Sequence, residues 1–379
     1  MTRTALEMNT TTKQTSMLYL ALELSKEAWK LAFSTGGQKV RTVTVHGGSV
    51  ARVVRATAAT TAKLGLPSDT PVLSCYEAGR DGFWIHRALL AEGFKNLVVD
   101  PASIEVDRRE RRAKTDRLDA TKLVLQLVRH DERGDRMRAV RVPTPEEEDS
   151  RRPGRELERL KKERSAHQAR IRSLLTLHGI GATKLGSGFA ALVTKMHTPN
   201  GGPLPAHLAA ELRREAERLE VVREQIHELE KARSAAVHAG SGRAARLAAS
   251  MMLLKGIGVN VATICADEFF AWRSFQSGKQ VGSCAGLTPT PYDSGGSRHE
   301  QGISKAGNRR VRGIMIEIAW QWLRYQPQSA LSRWYGERFG NNGGRARRVG
   351  IVALARKLLV ALWRYVDQGI VPDGALMKA

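Results

Sequence analysis

The spacing of apolar residues in the middle of the chain constrains its fold more than any other feature. Apolar residues follow one another there at alternating steps of four and three positions, and Glu215 interrupts the row. The row consists of Leu208, Leu212, Leu219, Val222, Ile226 and Leu229. This is the heptad spacing of a helix that buries one stripe against a partner helix, and a less regular row, residues 157–174, precedes it. The loop-forming segment TPNGGPLP, residues 198–205, separates the two rows. The sequence therefore predicts a central antiparallel coiled-coil hairpin over residues 155–245, which also suits dimerisation.

The first third of the chain alternates short segments of strand character with helical segments. Strands are predicted over residues 18–25, 29–35, 40–46, 71–76 and 96–100, and helices over residues 50–64, 81–91 and 117–128. Three strands, then helix, strand, helix, strand and helix make an α/β arrangement of the RNase H type. We expect this domain over residues 17–135, after a flexible N-terminal segment of residues 1–16 and before a proline-containing linker of residues 136–154.

The last region, residues 246–379, is predicted to be a mainly α-helical domain. A Gly/Ser/Pro-rich insert over residues 286–302 and the segment NNGG, residues 341–344, interrupt its helical pattern. The helix that follows the second break begins with RARR, residues 345–348, and is therefore strongly basic at its start.

The charge of the chain indicates its partner. Sixty-one Lys and Arg residues against 38 Asp and Glu residues give a formal net charge of +23. Nucleic acid is the expected partner, because basic side chains displace counterions from phosphates. A membrane is not expected, since residues 351–366, the most apolar late segment, contain three basic side chains. Residues 1–16 are polar and predict no signal peptide. Cys75, Cys265 and Cys284 form no CxxC pair, so we predict no zinc site.

Four carboxylates of the first domain suit a divalent-metal site. Glu23 lies in the first predicted strand, and Glu77 directly follows the strand of residues 71–76. Asp116 and Asp119 are three positions apart, which places them on one face of the helix that begins there. Phosphodiester chemistry with two hard cations requires several carboxylate oxygens at one point. We therefore predict these residues as catalytic ligands of Mg²⁺ (or Mn²⁺).

Each of these carboxylates also has an ordinary structural explanation. Glu23 could face solvent on an edge strand, Glu77 could accept a hydrogen bond from its own turn, and Asp116 could be a helix N-cap. The order of all four along the chain, and their strand or helix context, favours one shared metal site over a separate structural role for each residue.

Three motifs around these residues resemble a known family. The segments YLALELSKEAWKLA, CYEAGRDG and AKTDRLDA are similar to the Asp-Glu-Asp-Asp signature of the RuvC-like domain in DEDD insertion-sequence transposases, which are bridge-RNA-guided recombinases. Glu23 stands where that family has aspartate, so its carboxylate lies one methylene further from the backbone, and Asp81 is a substitute candidate. The resemblance implies that Lys114 and Arg117, in the third motif, contact nucleic acid.

The C-terminal region contributes a candidate nucleophile, Ser294. From residue types alone, YDSGG is better explained as a polar turn, and Ser297 and Ser304 are rival nucleophiles. The GIG turn of residues 256–258 and the segments AGLTPTPYDSGG and GISKAGNRR resemble the same family's serine transposase domain, whose motif selects Ser294. Basic residues after this serine are expected to bind nucleic acid and to neutralise charge on the phosphate. They are Lys305, Arg309, Arg310 and Arg312.

Several aromatic residues follow the serine motif. Trp320, Trp322, Tyr325, Trp334 and Tyr335 lie close in sequence to arginines and could stack on bases. Helical spacing more often indicates core positions, and we predict a core position for Trp320.

These observations predict strand exchange between the ends of a mobile element and a target DNA through a phosphoserine intermediate. By resemblance, a structured non-coding guide RNA supplies the sequence choice, and the two domains combine from different protomers of a homodimer or homotetramer. The expected location is the bacterial cytoplasm, in association with the nucleoid. Two other hypotheses remain open: a RuvC-like metal-dependent junction nuclease with a structural Ser294, and a non-catalytic nucleic-acid scaffold.

Overall fold

The chain divides into two compact units, residues 1–143 and 144–379. The computed structural model describes residues 17–104, 116–135, 137–181, 183–294, 297–341 and 343–378. The described elements of the first unit, in chain order, are β1 (Leu18–Leu24), β2 (Ala28–Ser34), β3 (Arg41–His46), α1 (Val50–Lys63), β4 (Val72–Glu77), α2 (Trp84–Ala91), β5 (Lys95–Val99) and α3 (Asp116–Arg133). Their order and bounds confirm the predicted strands and helices to within a few residues.

The strands form one mixed sheet in the order β3-β2-β1-β4-β5. The first three strands pair antiparallel, and β4 and β5 run parallel to β1. β1 is the central strand of the sheet. Successive side chains along it point to opposite faces, and helices cover both faces. Leu18, Leu20 and Leu22 pack with residues of α1 and α2 on one face. Tyr19 and Ala21 pack with residues of α3 on the other.

The end of helix α3 lies beside the start of β1 on this face of the sheet. The hydroxyl of Tyr19, near the start of β1, donates a 2.8 Å hydrogen bond to the carboxylate of Asp131, near the end of α3. Leu123, Val124 and Leu127 of α3 pack in one core cluster with Tyr19 and Ala21 of β1.

The second unit is mostly helical in its described part. Its elements are α4 (Pro145–Asp149), α5 (Arg152–Leu177), α6 (Phe189–Val193), α7 (Ala206–His238), α8 (Gly242–Met252), α9 (Val259–Cys265), α10 (Gly278–Cys284), β6 (Pro289–Ser294), β7 (Ser297–Ile303), α11 (Arg309–Tyr325), α12 (Ala330–Phe339) and α13 (Gly344–Gln368). A π-helical turn, Ala266–Phe270, continues α9.

Helices α5 and α7 pack side by side in opposite directions. Leu157 and Leu160, near the start of α5, pack against Val222 and Ile226 in the second half of α7. Residues at the end of α5 share a second cluster with residues at the start of α7. The apolar row of α7 is therefore buried as its spacing predicts, apart from the partly buried Leu229, while a supercoiled coiled coil stays a prediction.

The Gly/Ser/Pro-rich insert of residues 286–302, for which the sequence predicts no strand, forms two strands. β6 and β7 pair antiparallel as a separate two-stranded sheet, with Ser294 opposite Ser297 in register. Side chains of residues 291–301, including that of Ser294, lie outside the described part of the chain. The serine motif therefore lies on a β-hairpin rather than on an irregular loop.

The core position predicted for Trp320 is wrong. Trp320 is 44% exposed, whereas Trp322 is 1% exposed and belongs to the main core of the second unit. Both residues lie on α11, where a shift of two positions turns a side chain through about 200°. The apolar row Val311, Met315, Ile318 and Trp322 sets the buried face, and Trp320 lies away from it.

Candidate functional site

The carboxylates predicted from the strands lie at one edge of the sheet. Leu22 and Tyr76 are the last registered pair of the parallel strands β1 and β4, and Glu23 and Glu77 are the next residues on each. Along β1, Tyr19 and Ala21 face α3, so Glu23, two positions further on, faces α3 as well. Along β4, Cys75 faces α3, and Glu77 follows it in the same way. Adjacent parallel strands are about 4.8 Å apart. The fold thus brings Glu23 and Glu77 together on the α3 side.

These carboxylates open into a cavity of about 390 Å³ at the ends of β1 and β4. Glu23, Glu77 and Asp81 line it, together with Lys26 and Arg80. Asp81 also lies 3.9 Å from the guanidinium of Arg80. The alternative ligand named from sequence, Asp81, therefore shares a cavity with both strand carboxylates.

The helical aspartates begin α3. Asp119 lies on its first turns and is partly exposed, and it does not come close enough to Glu23 and Glu77 to form a group of three metal ligands with them. Asp116 is the first residue of α3, but its side chain, like that of Arg117, lies outside the described part of the chain, and Lys114 lies wholly outside it.

Carboxylate oxygens fit a hard divalent cation, and Mg²⁺ is commonly held by one or two carboxylates with water as its remaining ligands. The pair Glu23 and Glu77 provides that donor type on adjacent strands. Across the described ranges, no three His, Cys, Asp or Glu side chains come close enough to enclose an ion. A fuller set would require Asp116.

The second candidate site is the β6–β7 hairpin that carries Ser294. Backbone hydrogen bonds fix its base: the N–H of Ser304 donates to Thr288 at 2.8 Å, and the N–H of Lys305 donates to Gly286 at 3.2 Å. Lys305 has a positive φ of 55°, which is unusual for a residue other than glycine. The hairpin therefore leaves the helical core through a tightly bonded turn.

The four basic residues predicted to follow the serine differ in their surroundings. Lys305 and Arg309 are exposed. Arg310 donates to Glu158 on α5 at 2.7 Å, and Arg312 donates to the carbonyls of Ala285 and Lys305 at 3.1 and 2.9 Å. Lys305 and Arg309 are thus available to a phosphate, whereas Arg310 and Arg312 already hold the surrounding structure.

Sequence reasoning did not identify Lys26 and Arg80 as residues of the carboxylate cavity. Lys26 lies in the turn after β1, and Arg80 lies three residues after Glu77. Their positions just after the ends of β1 and β4 could have indicated this, because residues that follow adjacent parallel strands meet at one edge of the sheet.

The GIG turn connects α8 to α9. Gly256 has a positive φ of 89°, and a Cβ there would lie 2.9 Å from the Cβ of Tyr325. Glycine at this position therefore serves both the turn and the close packing of α11. No helix in the described ranges combines the length and the apolar character needed to cross a bilayer.

Comparison with known proteins identifies a family for this chain. The model of the transposase family IS116/IS110/IS902 matches residues 248–333, a span that includes the GIG turn, the hairpin and the whole of α11. The protein y4rJ of Sinorhizobium fredii, which is named as a transposase, is 42% identical over 375 residues, covering 95% of this chain and 94% of that protein.

Two further relatives match more distantly. A family 20 transposase of Pseudomonas aeruginosa is 31% identical over 235 residues, which cover 61% of this chain and 67% of that protein. The transposase for insertion sequence element IS1328 of Yersinia enterocolitica is 29% identical over 190 residues, 48% of this chain and 53% of that protein. The 42% identity to y4rJ across nearly the whole chain, with the match to the family model, shows that the protein belongs to the IS116/IS110/IS902 family of transposases.

Proposed function

We propose that this protein is the transposase of an insertion sequence and that it exchanges DNA strands through a covalent bond to Ser294. The observation that carries the proposal is the family likeness, which extends over 95% of the chain at 42% identity to a relative named as a transposase. The match of the family model to residues 248–333 supports the assignment of the serine chemistry to the β6–β7 hairpin.

In the proposed reaction, the oxygen of Ser294 attacks a DNA backbone phosphorus and forms a phosphoserine ester. The bond to one DNA oxygen breaks, and that oxygen leaves as a strand-end hydroxyl. Attack of a hydroxyl from the other DNA partner reverses these steps and releases the serine. The number of phosphodiester bonds is conserved, so strand exchange needs no external energy source.

We assign the remaining chemistry to residues around the two candidate sites. Lys305 and Arg309, exposed after the hairpin, are suited to neutralise charge on the attacked phosphate. Glu23, Glu77, Asp116 and Asp119 would hold Mg²⁺, which when bound polarises a phosphate oxygen and assists deprotonation of a hydroxyl. The sheet order β3-β2-β1-β4-β5 supports an RNase H-type domain of the RuvC kind for these carboxylates.

We further propose DNA and a structured guide RNA as the partners, on the strength of the family resemblance and the net charge of +23. Contacts to phosphates position a nucleic acid without reading its sequence, so the sequence choice would come from base pairing with the RNA. A homodimer or homotetramer that combines domains of different protomers would be built through α5 and α7.

The deciding experiment is the capture of a covalent protein–DNA product. The protein, its element-end DNA and the RNA transcribed from the flanking element are incubated with Mg²⁺, and denaturing gels are used to detect labelled DNA on the protein. We expect an adduct that Ser294→Ala abolishes, while Ser297→Ala and Ser304→Ala retain it. Cleavage without an adduct that persists in Ser294→Ala would instead favour a metal-dependent junction nuclease.

A further inference from the structure

Glu268 is a buried carboxylate in the π-helical turn Ala266–Phe270. It is 5% exposed, and π-helical turns often occur at functional positions. The turn follows α9 directly, within the span that matches the transposase family. A charge at such a position needs partners that compensate for its removal from water.

Arg155, on the first turn of α5, is its main partner. The Nε and one terminal nitrogen of Arg155 donate to the two oxygens of Glu268 at 2.7 and 2.9 Å. Arg310 lies 4.0 Å from the same carboxylate, and it also binds Glu158 on α5. Burial by itself would raise the pKa of Glu268, but the hydrogen bonds and charge of Arg155, with Asn308 and Arg310, hold that pKa below its usual range.

Asn308 joins this carboxylate to the start of α11. Its Nδ2 donates to the backbone carbonyl of Glu268 at 3.2 Å and to Oε2 at 3.3 Å. Its Oδ1 accepts the N–H groups of Arg310 and Val311 at 3.0 and 3.1 Å, which makes Asn308 the N-cap of α11. The N–H of Asn308 donates to Cys284 at 2.8 Å. The side chain and the backbone N–H of Asn308 together thus fix the π-helical turn, α10 and α11 relative to one another.

The segment between Asn308 and the hairpin leaves little freedom. A Cβ on Gly307, whose φ is 129°, would lie 2.4 Å from the carbonyl oxygen of Cys284. Lys305 and Ser304 bond to the chain that enters β6, and Arg312 binds the carbonyl of Lys305. An unbroken series of bonds therefore runs from Glu268 through Asn308 to the base of the β6–β7 hairpin.

We propose that Glu268 is a positioning residue: through Asn308 it fixes the base of the hairpin that carries Ser294, and through Arg155 it ties that base to α5. The proposal rests on the serine chemistry proposed above. An ion pair buried in this way is weak evidence for stability, because well-packed apolar residues often do as well. Its worth lies in fixing a single arrangement of three chain segments, which a reactive hairpin requires.

The test uses a reversed hydrogen bond. Asn308→Asp keeps the cap acceptor for α11 but places a second carboxylate against Glu268, so the two should repel. Glu268→Gln with Asn308→Asp replaces that repulsion with an amide donor facing a carboxylate acceptor. Hydrogen exchange of the amides of Ser304, Lys305, Arg310 and Val311 is measured for both single variants and the double variant.

We expect Asn308→Asp to speed exchange at these four amides about tenfold or more, and the double variant to recover part of the protection, because the carboxylate of residue 308 still faces the backbone carbonyl of residue 268. Glu215→Gln is the matched control, because Glu215 is also buried and paired with three basic side chains, but between α5 and α7. It should change exchange at the hairpin amides no more than at the core amides of the second unit, since it acts only through global stability. Equal protection in wild type and Asn308→Asp would overturn the proposal, as would a double variant no better than the single.

Activity is read in the same proteins as the single-turnover rate of covalent adduct formation, beside the Kd for DNA. We expect Asn308→Asp to lower the rate at least tenfold with Kd within about twofold, and the double variant to restore part of the rate. An unchanged rate despite fast exchange would also overturn the positioning role. If the variants show the expected changes in amide exchange but the wild-type protein forms no adduct, the proposed serine chemistry is contradicted instead. If Glu268→Gln fails to fold, Arg155→Gln is measured in its place, because Arg155 binds the same carboxylate from the side of α5.

Discussion

Asp267 and Glu268 are neighbours in one π-helical turn, yet their surroundings move their pKa values in opposite directions. Burial, and then the charge of Glu268, raise the pKa of Asp267 to about 6, against a smaller opposing effect of Arg233. Arg155 and Asn308 bond directly to Glu268 and hold its pKa low. Direct hydrogen bonds to the charged form, rather than depth of burial, separate the two residues.

This difference predicts a pH-dependent effect of Asp267→Asn. The pKa of Asp267 is higher in the folded chain than in the unfolded chain, so the unfolded chain loses this proton first as the pH rises. Ionisation therefore favours unfolding between about pH 4 and pH 6. We expect the variant to have a free energy of unfolding about 1–3 kcal/mol higher than wild type at pH 8 and an equal one at pH 4. Urea unfolding at both pH values measures this, and an equal difference at the two would refute it.

At the residue scale, the meeting of Glu23 and Glu77 at one edge of the sheet could be predicted, whereas the contacts of Glu268 could not. Glu23 and Glu77 end apolar strands of recognisable length, and adjacent parallel strands must end together. The partners of Glu268 lie 113 and 40 positions away in sequence, and no local pattern relates them. Trp320 shows a third case, because periodicity identified its helix while the phase of the helix depended on the core.

Glu215 interrupts the apolar row of α7, and the helix pair accommodates it with charge. It is 3% exposed, and His167 and Arg170 of α5 donate to one of its oxygens at 2.7 Å each. Arg218 donates to the other oxygen at 2.6 Å. Burial opposes ionisation of this carboxylate, but the hydrogen bonds from these three side chains hold its pKa below the usual range. The interruption seen in the sequence is thus a polar contact between the two helices.

We expect Glu215→Gln to lower the free energy of unfolding by about 1–3 kcal/mol at pH 7. Because the folded-state pKa of Glu215 is depressed, its contribution is present above the unfolded pKa and is lost as the pH falls below about 4.5. The gap between variant and wild type should therefore close in acid. Urea unfolding from pH 7 to pH 3.5 follows this, with Glu224→Gln, an exposed position on the same helix, as the control. A gap that persists in acid would mean that packing, not charge, accounts for the loss.

The β6–β7 hairpin shows why some elements could not be predicted. Its segment is rich in Gly, Ser, Pro and Thr and contains few apolar residues, so neither strand shows the alternation that strands on a core display. Hydrogen bonds at its base, from Ser304 to Thr288 and from Lys305 to Gly286, anchor the hairpin. The five strands of the first unit were predictable because four of them bury apolar side chains, and β3 packs the partly buried Val43 and Val45 against the same core.

The turn below this hairpin depends on Gly307. Its φ of 129° disfavours any side chain, and a Cβ would meet the carbonyl of Cys284 at 2.4 Å. We expect Gly307→Ala to lower the free energy of unfolding by more than about 2 kcal/mol. Gly313→Ala is the control: it lies in α11 with open space around its added Cβ, and should raise stability by about 0.5–1 kcal/mol. Equal effects of the two substitutions, measured by urea unfolding, would contradict this account of the turn.

At the scale of the whole molecule, the net charge of +23 is unevenly compensated. Much of the basic charge on α5 is paired nearby: Arg152 lies 3.3 Å from Asp149, and Arg159 lies 3.5 Å from Glu156 and 3.7 Å from Glu163. The start of α13 differs, because Arg345, Arg347 and Arg348 are exposed and its first turn contains no acidic residue. Cations are disfavoured at a helix N-terminus, so these three arginines do not serve the stability of α13.

These arginines are therefore expected to contact phosphates. Each phosphate neutralised by a basic side chain contributes about −0.9 to the slope of log K against log salt concentration for duplex DNA. We expect the combined variant Arg345→Ala, Arg347→Ala and Arg348→Ala to make that slope less steep by about 2 to 3, with the largest loss of affinity at low salt. Replacement of Arg152 and Arg159 by alanine should leave the slope nearly unchanged, since adjoining carboxylates already offset their charge. Fluorescence anisotropy with one labelled duplex from 50 to 200 mM salt measures all three proteins, and parallel lines for the triple variant and wild type would show that the start of α13 lies away from the nucleic acid.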